Sequence, residues 1–109
     1  FSCNEIYWSP RVNEALSSEI ESRDMTLSYL VLDSLDGHFS GKWGDVPKEV
    51  AERNDANLKA YFNGDYSGIL YSSWSNDRYF LSIITFNRFC QTEIIFTSEY
   101  NNLEFNMEI

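Results

Sequence analysis

The sequence predicts an α+β domain: one N-terminal helix packed on an antiparallel β-sheet. Three observations carry that reading. Apolar residues recur at helical spacing only near the start of the chain, β-forming residues dominate beyond it, and 109 residues make one core rather than two. With 43% apolar and 17% aromatic residues, residues 1–109 can bury a single sizeable interior.

The helix comes first. Ser9-Pro10 is a start signal, because serine caps an N-terminus and proline suits the first helical position. Val12, Ala15, Leu16 and Ile20 then stripe one face, with Arg11, Glu14, Ser18 and Glu21 largely away from it, which predicts a helix from about Pro10 to Arg23. In "TLSYLVLDSLDGHFSGKW", β-formers flank Asp36-Gly37 and predict a hairpin. The polar stretch "GDVPKEVAERNDAN" reads mainly as a long loop. Three or four strands should follow. In the first, Leu58, Ala60 and Phe62 alternate with Lys59, Tyr61 and Asn63. "YFLSIITF" has apolar groups in both phases, which suits a central strand covered on both faces, and "TEIIF" should pair close by.

Charge and cysteine count narrow the function classes. Seventeen carboxylates against eight lysines and arginines give a net charge of −9. Such acidity opposes generic binding to phosphate backbones or anionic lipid; it reads first as a solvated, solubilising surface and otherwise suits a basic partner. After Cys90 come Glu93, Glu99, Glu104 and Glu108 with no lysine among them and no arginine, so residues 97–109 read as an acidic C-terminal extension. No apolar run approaches the roughly 18 residues a membrane helix needs. The chain opens with Phe1 in place of methionine, as cleavage of an export signal would leave it; a chain cut at a chosen boundary would look the same. Cys3 and Cys90 are the only cysteines. In an exported chain they would pair, closing a loop worth on the order of 4–5 kcal/mol. In a cytosolic chain they would be two unrelated buried thiols.

Signals for catalysis are sparse. His38 is the only histidine and sits beside the expected turn, where it reads as a surface residue, and spacing assembles neither a tetrahedral metal site nor a Ser-His-Asp set around it. "GDYSG" lacks the Lys-Ser/Thr of a phosphate loop. No cofactor and no metal are expected. Aromatic residues near strand ends, including Trp43, Tyr61, Tyr66, Tyr71, Trp74 and Tyr79, either cover the sheet, stack on unpaired bases beside Lys42, Lys59 and Arg78, or anchor a protein interface.

"FSC" at the start, with one distant second cysteine and this order of helix, hairpin, long loop and strand run, resembles the powdery-mildew effectors expressed in haustoria. These are similar in fold to the fungal guanyl-specific ribonucleases. The resemblance covers Phe1 to about Phe96. It implies a ribonuclease-like fold, a disulfide joining Cys3 to Cys90, secretion, and delivery into the plant cell.

The enzymes of that fold use a carboxylate base, two histidines and an arginine. The resemblance places Asp45 of "DVP" at the base, Lys59 of "NLKAYFN" at the arginine and Ser72 of "GILYSS" at the acid histidine; "TLSYLVL" holds no histidine where the other belongs. Serine cannot donate a proton at neutral pH as imidazolium does. The expected function is therefore a catalytically dead, monomeric virulence or avirulence protein. It would bind host plant proteins, with RNA a weak second ligand, and be open to recognition by an intracellular NLR immune receptor. Its expected contact surface is the hairpin Asp36–Trp43, the loop Gly44–Asn57 and the turn Ser73–Arg78, with Asp36, His38, Lys42, Trp43, Tyr61, Trp74 and Arg78 as candidates. The alternatives are a residual ribonuclease or RNA binder using Asp45 and Lys59, and a small acidic inhibitor that masks a basic active site.

Overall fold

The computed structural model describes residues 5–102, with side chains through residue 99. The architecture is α+β, but with three helices and a mixed sheet in place of one helix and an antiparallel sheet. In chain order it runs β1 (Glu5–Trp8), α1 (Pro10–Ser22), α2 (Thr26–Phe39), α3 (Lys48–Phe62), β2 (Leu70–Ser75), β3 (Phe80–Phe86) and β4 (Gln91–Phe96), followed by a 3₁₀ segment, Thr97–Asn102. The sheet order is β1-β4-β3-β2, with β1 parallel to β4 and the other pairs antiparallel.

Helix α1 forms where the start signal places it. The Ser9 hydroxyl accepts the Val12 N–H at 3.2 Å, Pro10 follows, and Arg23 ends the helix in the left-handed region at φ 62°, its N–H reaching the Glu19 carbonyl at 2.8 Å. The buried face runs through Val12 and Glu19, while Ile20 is 75% exposed. A carboxylate replaces the expected isoleucine because it serves a second helix. Glu19 accepts the Leu27 N–H at 2.7 Å and the Ser28 N–H and hydroxyl at 2.8 Å each, filling orphan donors at the start of α2.

The expected hairpin is helix α2. Leu27, Val31, Ser34 and His38 fall at helical spacing and are all buried, and that pattern outweighs the Asp36-Gly37 turn signal. Gly37 costs roughly 1 kcal/mol relative to alanine in a helix. It is there for room: an added Cβ would overlap the Trp74 ring. The helix ends two residues later, at Phe39, in a Schellman motif where Gly41 at φ 79° turns the chain. Its N–H reaches the His38 carbonyl at 3.2 Å, and the Lys42 N–H reaches the Gly37 carbonyl at 2.8 Å.

The expected long loop and first strand form one helix, α3. Pro47 precedes it, Glu49 lies in its first turn and Lys59 in its last, which suits the helix dipole. Its inward positions are Ala51, Asn54, Leu58 and Tyr61, at helical spacing, with the polar Asn54 at the centre. A stripe centred on an amide gives little hydrophobic periodicity. The alternation at Leu58, Ala60 and Phe62 is coincidental, and Phe62 is left 67% exposed.

The later strands agree with expectation. All of Leu81–Thr85 in β3 is buried, and β4 pairs beside it with Ile83 opposite Ile94. Val12, Leu27, Val31, Leu81, Ile83 and Ile94 form the main core between α1, α2 and one sheet face. A second cluster, Trp43, Leu70 and Phe89, lies under α3. The turn from β3 to β4 carries three successive left-handed residues, Asn87, Arg88 and Phe89. That conformation costs roughly 1–2 kcal/mol for each such residue. The buried Phe89 ring stacks on Tyr61 at 4.5 Å, which offsets part of the cost.

Candidate functional site

The most chemically specific cluster surrounds His38. Its Nδ1 lies 2.7 Å from the Ser72 hydroxyl and its Nε2 lies 2.8 Å from the Thr85 hydroxyl. The Trp74 indole N–H donates to Ser72 at 2.7 Å, and Thr85 continues to Thr92 at 2.8 Å. These partners come from alternate residues of β2, β3 and β4 that share the face under α2. His38, Ser72, Thr85 and Thr92 are all fully buried. Burial pushes the imidazole down to about 3, so it is neutral. A serine hydroxyl against an imidazole is the contact a nucleophile makes with its base, but here the third group is a threonine and solvent is excluded. The arrangement ties α2 to three strands by a satisfied polar chain.

The expected contact residues divide into two groups. Asp36, Lys42 and Arg78 are exposed. His38 and Trp43 are interior, contrary to expectation: α2 turns His38 inward, and the Trp43 indole donates to Asp55 at 2.8 Å from beneath α3. Tyr61 and Trp74 are partly buried, one stacked on Phe89, the other packed on the main core. Arg78 pairs with Asp24 and lies 5.4 Å over the Tyr79 ring, beside a cleft of about 440 Å³ that includes Phe80 and Phe96.

Asp45, Lys59 and Ser72 share no hydrogen bond or ion pair among those the structure defines. The Asp45 carboxylate accepts from the Ser75 hydroxyl at 3.0 Å, whereas Ser72 points to the opposite sheet face at His38, and Lys59 is exposed in the last turn of α3. Cys90 is exposed just before β4; Cys3 lies outside the described residues. Among the described residues no cluster of three metal-ligating side chains occurs, and no helix is long and apolar enough to cross a membrane.

The two sheet edges are features the sequence reading missed. At β2 the Asn54 amide donates to the Tyr71 carbonyl at 2.6 Å and accepts the Tyr71 N–H at 3.1 Å. Ser73 donates to the Trp43 carbonyl at 3.2 Å and accepts the Asp45 N–H at 2.7 Å, and Asn57 caps the Ile69 carbonyl at 2.9 Å. The outward backbone groups of Tyr71 and Ser73 are thus all used. At β1, by contrast, Ile6, Tyr7 and Trp8 are 44%, 47% and 46% exposed. Ser9 donates inward to the Ile94 carbonyl at 3.0 Å, so strand alternation turns the peptide groups of Tyr7 inward and those of Ile6 and Trp8 outward. A run of exposed aromatic and β-branched residues at positions 6–8 was the available sequence signal.

Beside β1 lies a cleft of about 360 Å³, lined by Tyr7, Trp8, Arg11, Glu93 and Glu99 among others. Glu99 accepts the Ser9 hydroxyl and the Phe96 N–H at 2.8 Å each. Glu93 is half-buried, and desolvation raises its pKa. It makes no ion pair or hydrogen bond among the described residues. Comparison with protein-family models, curated proteins and solved structures finds no match.

Proposed function

We propose that this chain is an exported, non-catalytic binding domain that acts as a fungal effector of the ribonuclease-like, powdery-mildew type, contacting host protein inside the plant cell. The observation that carries the non-catalytic part is the burial of the sole histidine, neutral and held at both ring nitrogens by hydroxyl groups. No substrate reaches it, and a group with its pKa near 3 is a poor general base at neutral pH. Asp45 and Ser72, on opposite sides of β2, do not form a second acid–base pair.

The effector part rests on the aromatic-x-Cys tripeptide Phe1-Ser2-Cys3, the single distant cysteine and the run of strands; the helix, hairpin and loop order that also suggested it gives way to three helices. The parallel β1–β4 register supports the disulfide. Glu5 lies opposite Gln91, next after Cys90, and Cys3 precedes Glu5 by two positions in the sequence. Non-reducing mass analysis should show the loss of two mass units, and two free thiols would remove the export argument. Incubation with guanosine-containing RNA should leave it intact; cleavage abolished by Asp45→Asn would overturn the reading.

A further inference from the structure

The open edge of β1 has a definite chemistry. Ile6 and Trp8 lie on the helix side of the sheet, in register with Thr92 and Ile94. Glu5 and Tyr7 lie on the other side, in register with Gln91 and Glu93. The Tyr7 hydroxyl is held against the Glu5 carboxylate, which raises its pKa. Glu93 adds a half-desolvated carboxylate with no cationic partner among the described residues, and the adjoining cleft holds two carboxylates, Glu93 and Glu99, against one guanidinium, Arg11. One side of the edge is therefore apolar and the other acidic, and between them the peptide groups of Ile6 and Trp8 face outward.

We propose that β1 is a docking edge for an extended segment of a partner protein whose residues alternate between apolar and basic, added to the sheet as a fifth strand. Main-chain bonds to Ile6 and Trp8 give the pairing. Alternation then sends every second side chain onto Ile6 and Trp8 and the others toward Glu5 and Glu93, where lysine or arginine meets opposite charge. The net charge of −9 argues against a second copy as occupant, since two such chains repel. The proposal rests on the reading of this chain as a binding domain and names the surface that binds. A partner held through α2 or the Arg78 cleft would overturn the proposal and leave that reading standing.

The test uses the full chain and a fluorescein-labelled Val-Lys-Val-Lys-Val-Lys-Val peptide, read by fluorescence anisotropy. The lysine peptide should bind about tenfold or more tightly than its Val-Glu counterpart at low salt, with the preference largely screened at about 1 M salt. Ile6→Pro removes an outward N–H and spares the ladder to β4, so it should abolish binding while the circular dichroism spectrum is kept. Methylating the backbone nitrogens of alternate residues in the probe should abolish binding in one of the two phases and spare it in the other, without touching the protein. Glu93→Gln should erase most of the lysine preference.

Binding indifferent to N-methylation in either phase, no binding at all, or a lysine preference that survives Glu93→Gln would each overturn the proposal. So would binding only by a chain ended at Asn102, which would make the protein's own C-terminal segment the occupant. A concentration-dependent dimer lost in Ile6→Pro would assign the edge to a second copy instead.

Discussion

The two edges of the sheet solve the same problem in opposite ways. An edge strand presents unpaired N–H and C=O groups, and proteins commonly cover or blunt them. At β2 a helix supplies the cover: Asn54 and Asn57 of α3 act as substitute strand partners for Tyr71 and Ile69, and the Trp43–Asp45 segment pairs with Ser73. At β1 nothing of that kind is built among the described residues, and four consecutive side chains are exposed. The difference separates a sealed edge from one whose outward peptide groups have no built cover among the described residues. A buried amide matched to a strand backbone has high value in place and a high cost when removed. An exposed edge has little stabilising role to lose.

Hydrogen exchange gives the widest separation. The amides of Tyr71 and Ser73 should exchange on the order of a thousandfold more slowly than those of Ile6 and Trp8. Equal rates would erase the distinction. Asn54→Ala should be the most damaging single change at the sealed edge, about 2–3 kcal/mol in urea unfolding, because it strands both the N–H and C=O of Tyr71.

Acid should loosen the sealed side next. His38 has a folded pKa below its ordinary value, so below about pH 6.5 the unfolded chain takes up a proton that the folded one refuses. Stability therefore falls from about pH 6.5 toward about 3, by about 2 kcal/mol already at pH 5, measurable as a drop in Tm that His38→Gln flattens. Asp24, lowered to about 2 by the Thr26 hydroxyl and Arg78, adds to the loss only between about pH 4 and 2. The smallest effect belongs to the open edge: Ile6→Lys should alter stability by no more than about 0.5 kcal/mol. A loss several times larger would mean that the β1 side chain is structural.

What was legible in the residues, and what was not, follows from how each helix is held. Ser9-Pro10 and the Val12 stripe mark α1 because a cap and an apolar face are local properties. The strand β3 is legible for a similar reason, since side chains apolar in both phases fit a doubly covered strand. Helix α2 was obscured by Asp36-Gly37, whose glycine answers to the Trp74 ring packed on it, a residue 37 positions away. Gly41, the actual stop signal, was present and unread. Helix α3 was obscured because its inward face centres on Asn54, polar by sequence and buried only because Tyr71 offers a backbone to bond. His38 shows the same limit at the candidate site: beside a turn signal it reads as a surface group, and only α2 packed on Ser72 and Thr85 makes it core.

The order of residues alone determined that this chain is an acidic α+β domain with a capped first helix and a central apolar strand, because caps, charge and periodicity are properties of neighbouring positions. Tertiary structure decided that a turn-like glycine sits inside a helix, that the one histidine is sealed in the interior, and that one sheet edge is closed while the other has no such cover among the described residues. Each of those outcomes depends on a hydrogen-bond or packing partner distant along the chain, and no local pattern carries that information.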